Sequence, residues 1–413
     1  MKVLKRAGQE DVLTHRTQGA LVGHYLIRSA GFGTGTSHVT NLLTDAEINL
    51  ARGITVVGMN ERDTPVKLFH RDSCGWSKAI EEMPNFYPLI QKTLEGFNTY
   101  FSSFAVVVDD SAVCSLPVDM RAMFAGTPFQ EWDQIDYRRP FIGLVVKDGS
   151  VQEFTGEPET ALTLDAKDFL DADKVLPVQR QSASLPRIAH AGGAADGVRY
   201  TNSFDALDQN RSHFDLFEID FVWTSDDHLV CLHDWSGNFR ASFNIDRDGP
   251  VTLAEFKRLS ADAQFRNCTL ESLVDWLEAN PGTRIVPDVK DRNTAAMQRI
   301  ATLYPEHIDR FVAQIYQPDE YPLVRALGFK DIIWTVYRYH PQDREILIPS
   351  WLSFLDLYGL AMPVVTAEEG LAQQARKETG VLSWAHTVNS PTVFDDLRAR
   401  GVVEIMTEDI LPQ

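Results

Sequence analysis

Leu216-Phe217-Glu218-Ile219-Asp220-Phe221-Val222 is the stretch on which the reading of this chain turns. It is short and rich in aromatic and β-branched residues, and reads as a strand. Strand side chains alternate between faces, so Phe217, Ile219 and Phe221 share one face and Glu218 and Asp220 share the other. In a closed barrel the apolar face packs on surrounding helices and the two carboxylates, roughly 7 Å apart along the strand, point inward. On an open sheet the same acids would be a solvated face. The neighbouring strands read as equally buried, which favours the barrel. Two inward acids are costly unless something positive compensates them.

Working outward, short apolar strands are expected at 187–190, 284–289, 311–316, 331–336, 361–365, 381–387 and 402–406, with helices at 203–211, 270–279, 295–303 and 320–327 among them. Strand–helix alternation implies a parallel sheet. Together with 216–222 these segments suit an α/β fold, a (β/α)8 TIM barrel over residues 187–413, with its chemistry at the C-terminal strand ends. An extra strand-like piece at 229–233 follows too closely for a helical crossover and reads as hairpin-like. Ahead of the barrel, residues 1–180 read as a mixed, mostly β domain plus linker, with strands at 53–59, 66–70, 104–109 and 140–147 and a helix at 85–94. The polar segment 156–186 reads as the linker, with a short helix near 166–173.

Acids outnumber bases 58 to 39, for a formal charge of −19, which argues against a nucleic-acid partner. No apolar stretch is long enough to span a bilayer, and the N-terminus lacks a secretory signal's apolar core. The four cysteines, Cys74, Cys114, Cys231 and Cys268, form no CxxC pair. A disulfide framework is not expected, Cys231 reads as a small core residue, and the expected location is cytoplasmic.

Four further residues join the two carboxylates. His190 precedes Gly192-Gly193 at the end of the first barrel strand, where backbone can approach a ligand. Asp288 and Lys290, two residues apart, share a face of their strand. Three carboxylates with one lysine leave excess negative charge; at an effective dielectric near 20, two carboxylates 4 Å apart repel by about 4 kcal/mol. A divalent cation relieves this, and oxygen-only ligation favours Mg²⁺ or Ca²⁺. Lys290 is then free to meet a phosphate oxygen; its alternative is a plain salt bridge to Asp288. His233, followed by Asp234, supplies a second imidazole. Phosphodiester cleavage needs one imidazole to take a proton and one to give it.

The order His190-x-Gly192, Asn202-Ser203 before a helix, Glu218-x-Asp220, His233-Asp234 and Asp288-x-Lys290 resembles the glycerophosphodiester phosphodiesterase family, as do Thr387-Val388-Asn389 and Thr407-Glu408. The resemblance covers about residues 187–408. It implies His190 and His233 as the acid/base pair, Glu218, Asp220 and Asp288 as metal ligands, and Lys290 and Asn202 as substrate contacts. It also implies a substrate hydroxyl attacking its own phosphorus through a cyclic phosphate. The family's arginine after the first histidine is Ala191 here, and its Glu-Asn-Thr is Thr201-Asn202-Ser203. Ala191 points away from a plain glycerophosphodiester, and the expected substrate is a glycerophosphodiester-like or a glycan- or lipid-linked phosphodiester.

The front domain has its own resemblance. Arg52-Gly53-Ile54-Thr55-Val56-Val57, Asn60 and Phe104-Ala105-Val106-Val107-Val108-Asp109-Asp110 look like the ILEI-like domain of interleukin-like EMT-inducer proteins, over about residues 25–151. That implies a carbohydrate or partner ligand. Gly31-x-Gly33-x-Gly35 lacks the strand–turn–helix context of a dinucleotide loop. Of the aromatics near barrel strand ends (Trp223, Trp235, Tyr316, Trp334, Trp384), Trp384 is the one expected to stack on substrate. The expected function is a metal-dependent phosphodiesterase. The alternatives are a sugar-phosphate-binding protein without turnover and a phospholipase D-like lyase that stops at the cyclic phosphate.

Overall fold

The computed structural model describes residues 11–14, 24–61, 63–72, 86–110, 129, 138–146, 150–167, 174, 176–179, 183–247, 249–340 and 344–412. The chain divides into two compact units, residues 1–178 with 340–355, and residues 179–339 with 356–413.

Two five-stranded sheets build the first unit. One runs, edge to edge, β1 (Asp11–Thr14), β10 (Ala161–Lys167), β2 (His24–Ala30), β3 (His38–Asn41) and β4 (Ala46–Asn49). The other runs β6 (Val66–Arg71), β5 (Gly53–Met59), β7 (Ser103–Asp109), β8 (Phe141–Val145) and β9 (Val151–Thr155). Tyr25, Ile27, Leu162 and Leu164 of the first sheet and Val57, Met59, Ala105, Val107, Ile142 and Leu144 of the second form one buried cluster, so the two apolar faces share a core. β10 corrects the reading of 156–186 as linker, and residues 166 and 167 are strand rather than helix. Leu162, Leu164 and Ala166 alternate with Thr163 and Asp165, so half of the strand is polar and its period is easily taken for loop composition.

A helix at Arg344–Phe354 also belongs to this unit. Trp351 and Phe354 pack on Phe97 of the helix Phe86–Phe97, with ring centroids 5.0 and 5.6 Å away. Ser350 is hydrogen-bonded to Lys67 of β6 in both directions, accepting from its N–H and donating to its carbonyl, each at 3.0 Å. The expectation that everything after residue 187 is barrel therefore fails over this segment.

The second unit is a TIM-barrel-like α/β fold. Its strands are β11 (Ile188–Ala189), β12 (Leu216–Trp223), β13 (Leu229–Cys231), β14 (Arg284–Asp288), β15 (Ala313–Ile315), β16 (Ile332–Thr335), β17 (Gly359–Pro363), β18 (Ser383–His386) and β19 (Glu404–Thr407). Parallel pairing runs β14-β12-β11-β19-β18-β17-β16-β15. At the two ends of that path Ile285 bridges to Phe311, and Val312 N–H donates to Ile285 O at 2.8 Å. β17 starts two residues before its expected position; Pro363, which has no N–H to donate, ends it and a helix begins at Val364. β13 turns back antiparallel on β12, with Phe221 opposite Cys231.

Cys231 and Cys268 form a disulfide, which corrects the expectation of free cysteines. Partners 37 residues apart leave no local spacing to read. Such bonds persist in oxidising compartments, so the cytoplasmic expectation loses its cysteine argument. Cys74 and Cys114 lie outside the described residues. Among the described residues no helix is long and apolar enough to cross a membrane.

Candidate active site

The parallel strands of the second unit carry their side chains in layers. One buried apolar cluster takes Ile188, Leu216, Val286, Val312, Ile333, Ala361, Trp384 and Met406, one residue from each strand or its first turn. Two residues further along each strand the same face points inward again. That step reaches His190, Glu218, Asp288, Gln314, Thr335, Pro363, His386 and Glu408. A third level adds Asp220 and Lys290. The period that makes each strand amphipathic thus lifts the chemistry above an apolar floor.

Glu218, Asp220 and Asp288 each place a carboxylate oxygen within 4.8 Å of the other two. Glu218 Oε2 accepts from Ala191 N–H at 2.8 Å, while Glu218 Oε1 is buried with no hydrogen-bond partner. Burial and then the charge of Asp220 push the Glu218 carboxyl well above the ordinary range. Asp220 is equally buried, but Lys290 and the two histidines outweigh that and hold it low. Lys290 Nζ lies 2.6 Å from Asp220 Oδ1 and 3.2 Å from Asp288 Oδ2. Asp288 also accepts from the Tyr316 hydroxyl.

His190 sits in a turn that requires positive φ at Ala191 (49°), Gly192 (86°) and Gly193 (89°). A side chain at Gly193 would put Cβ 2.5 Å from Asn210 Nδ2, the amide that ties this turn to its helix by donating to Ala194 O at 2.9 Å. His190 Nδ1 is 3.2 Å from Glu408 Oε1, and Nε2 is 3.8 Å from Glu218 Oε2. Burial opposes its charge, but Glu218 and Glu408 prevail and raise it to about 9. Asn389 Nδ2 donates to the other Glu408 oxygen at 2.6 Å.

His233 follows β13. Its Nδ1 is 2.8 Å from Asp234 Oδ2, and Asn238 Oδ1 accepts from its backbone N–H at 3.2 Å. Burial of Asp234 is outweighed by hydrogen bonds from His233, Ser236 and Asn238, which hold that carboxylate far down. An ionised Asp234 on Nδ1 leaves Nε2 as the working nitrogen. The Tyr200 ring stands between the two histidines, with centroids 5.0 Å from each.

Six of the eight sequence-predicted residues meet here: His190, His233, Glu218, Asp220, Asp288 and Lys290. Asn202 is close but makes no substrate surface. It is fully buried, its Nδ2 donates to Asp220 Oδ2 at 3.0 Å and its Oδ1 accepts from Asp220 N–H at 2.9 Å. It holds a carboxylate, which corrects its assignment as a substrate contact. Trp384 is corrected as well: it is fully buried in the apolar floor, with Nε1 donating to Pro186 O at 2.7 Å. Its neighbour two residues on, His386, occupies the chemical level. Tyr200, Tyr316, Tyr337 and His386 were not singled out for the site. Tyr200 and Tyr337 arrive on turns, where no periodic signal exists; His386 could have been found by extending the alternation of β18 by one step.

No family model matches the chain, and no curated protein matches it. Solved structures similar to the chain include a glycerophosphodiester phosphodiesterase from Parabacteroides distasonis, at 19% identity over 54% of this chain and 92% of that one, with a TM-score of 0.40. One from Thermotoga maritima has 16% identity over 55% and 96%, with a TM-score of 0.42. An Oleispira antarctica phosphodiesterase, in complex with the product sn-glycerol-3-phosphate, has 16% identity over 55% and 93%, with a TM-score of 0.41.

Proposed function

We propose that this chain is a metal-dependent phosphodiesterase that cleaves a glycerophosphodiester-like or glycan- or lipid-linked phosphodiester. The observation that carries the reading is a pair of histidines, each oriented through Nδ1 by its own carboxylate, facing one another across Tyr200 beside three clustered acids. The eight parallel strands, joined at their ends by the Ile285–Phe311 bridge, we take as a closed barrel with this site at its C-terminal mouth.

His190, held charged between Glu218 and Glu408, gives a proton to the leaving oxygen. His233, oriented by Asp234, takes one from the attacking hydroxyl. Lys290 meets a phosphate oxygen. Glu218, Asp220 and Asp288 would hold Mg²⁺ or Ca²⁺: their carboxylates cluster within 4.8 Å of one another, burial and the charge of Asp220 hold a proton on Glu218 that a bound cation would displace, and Glu218 Oε1 is an oxygen without a partner. Those three carboxylates would place the cation beside the phosphate, where it would supply charge neutralisation and orientation. For the first unit we propose a carbohydrate- or partner-binding role, on the resemblance of its 52–57 and 104–110 runs.

The test follows glycerophosphodiesters, lysophospholipids and glycan phosphodiesters by phosphorus NMR, with Mg²⁺, with Ca²⁺ and with EDTA. Turnover that EDTA abolishes is expected. His190→Ala and His233→Ala should each lose about 10²–10⁴ in rate with the fold intact. Near-normal rates in either variant would sink the acid/base roles. Binding without turnover would favour a sugar-phosphate-binding protein, and a cyclic phosphate that persists would mark a lyase.

A further inference from the structure

The Tyr200 ring, 5.0 Å from each catalytic imidazole, is held there against its own backbone preference. Its φ is 66°, in the left-handed region that bulky side chains rarely adopt. Hydrogen bonds fix the turn: Asn238 Nδ2 donates to Tyr200 O at 3.3 Å, Asn267 Nδ2 to Thr201 O at 2.8 Å, and Asn202 N–H to Ala191 O at 3.2 Å. Asn238 also accepts from the His233 N–H, and Ala191 directly follows His190. The turn that carries Tyr200 is therefore tied to those of both histidines. A strained residue persists only where its surroundings over-determine it, and such residues concentrate at active sites and ligand clamps.

The hydroxyl at the end of that ring has no hydrogen-bond partner among the described residues. Burial and then the charges of Asp220 and Glu218 push it far above its ordinary range, so it stays protonated and can donate. Lys290 and Asp288 act on it as well, which sets it over the acid cluster. The site is open there: Tyr200 is half-buried, and the side chains of Lys290 and His233 are 34% and 29% exposed, against 2% for Asp220. We propose that Tyr200 is a further catalytic residue, whose hydroxyl donates to a non-bridging oxygen of the phosphodiester while its ring keeps the two imidazoles apart. One imidazole that takes a proton and one that gives it must flank the phosphorus, because the attacking and leaving oxygens lie in line. The non-bridging oxygens then point sideways from that line, towards the group that stands between the imidazoles. Lys290 brings charge to those oxygens, and the phenol brings a fixed neutral donor. Donors preorganised where charge develops act on the barrier and not only on binding.

The inference rests on the phosphodiesterase reading, so it is tested by binding as well as by rate. Tyr200→Phe keeps the ring and removes only the hydroxyl. On any diester that the native protein turns over, its rate should fall by about 10²–10³, in kcat more than in KM. Its affinity for inorganic phosphate, measured by calorimetry with magnesium in excess, should fall about tenfold. Its magnesium affinity and melting temperature should match those of the native protein, since the lost hydroxyl bonds nothing in the fold. Tyr200→Ala, which removes the ring too, should lose more rate than Tyr200→Phe. Native rate and phosphate affinity in Tyr200→Phe, a loss confined to Tyr200→Ala, or no phosphate binding by the native protein would each overturn the donor role. Failure of the phosphodiesterase reading shows differently, as absence of turnover on every diester while Tyr200→Phe still weakens phosphate binding.

Discussion

Asn202 shows how a single side chain can be assigned to the right place and the wrong task. Its amide binds Asp220 at both ends, so Asn202→Ala leaves a buried carboxylate oxygen and a backbone N–H unpartnered. The variant should lose about 1–3 kcal/mol of stability and bind Mg²⁺ more weakly. A thermal melt and a metal titration check this; unchanged stability with a raised KM would restore the substrate role. His386 supports a pH prediction. Its imidazole is depressed from the ordinary 6.5 to about 3, so the folded state resists a proton that the unfolded chain accepts. The contribution is fully present above pH 6.5 and is lost progressively as pH falls towards 3. Between pH 7 and 5 the native protein should therefore lose roughly 1–2 kcal/mol more stability than His386→Gln. Parallel loss in the two proteins, in denaturant melts at both pH values, would contradict a neutral buried histidine. Glu218, Asp220, Asp288 and Lys290 were legible because the alternation along β12 and β14 fixes which side chains share a face, whereas His190 was marked by the glycines that follow it and His233 by its place at the end of the hairpin, beside Asp234. Trp384 was misplaced because alternation does not fix height: Trp384 and His386 share a face, and the roughly 7 Å between them separates floor from site.

Among elements, the β12–β13 hairpin matters most to the chemistry, because it carries Glu218 and Asp220 and delivers His233. Its return strand is held on both sides, by Leu232 N–H on Asp220 O at 3.0 Å and by Cys231 N–H on Cys268 O at 2.8 Å. The Cys231–Cys268 disulfide fixes the same point just before Thr269 caps the helix Leu270–Ala279. The hairpin was legible, since the short gap between β12 and β13 excludes a crossover; the covalent tie was not. The closed loop of 37 residues contains His233, so opening it acts on stability and on histidine placement together. In the chain-entropy account a loop of this size stabilises by about 4 kcal/mol. Cys231→Ser with Cys268→Ser should lower the denaturation midpoint accordingly and reduce kcat, and reductant should do the same to the native protein alone. If thiol labelling of the denatured native protein finds Cys231 and Cys268 free, or if the double variant unfolds at the same midpoint, the tie contributes nothing.

At the scale of the whole molecule the informative feature is a discontinuity. The helix Arg344–Phe354 lies in sequence between β16 and β17 of the barrel, yet it belongs with the first unit. Nothing in its composition announces this: an apolar helix between two barrel strands is what a barrel requires, and Leu347, Ile348, Trp351, Leu352 and Phe354 read as an ordinary core face. Only the tertiary partners, Phe97 and Lys67, reveal the exchange. A cut at the linker is therefore a poor way to isolate the barrel. In a fragment of residues 179–413 those five buried side chains lose the surface that covers them, and an apolar patch of this kind promotes association. That fragment should bind a hydrophobic dye and elute as aggregate. The same fragment with residues 340–355 replaced by a short Gly/Ser link should elute as a single species with far less dye binding, and should keep the metal affinity that depends on Glu218, Asp220 and Asp288. Size-exclusion chromatography and dye fluorescence on the two fragments decide the matter. If the uncut fragment is monodisperse and dark to the dye, the helix finds its cover within the barrel, and the division of the chain into these two units is wrong at that segment.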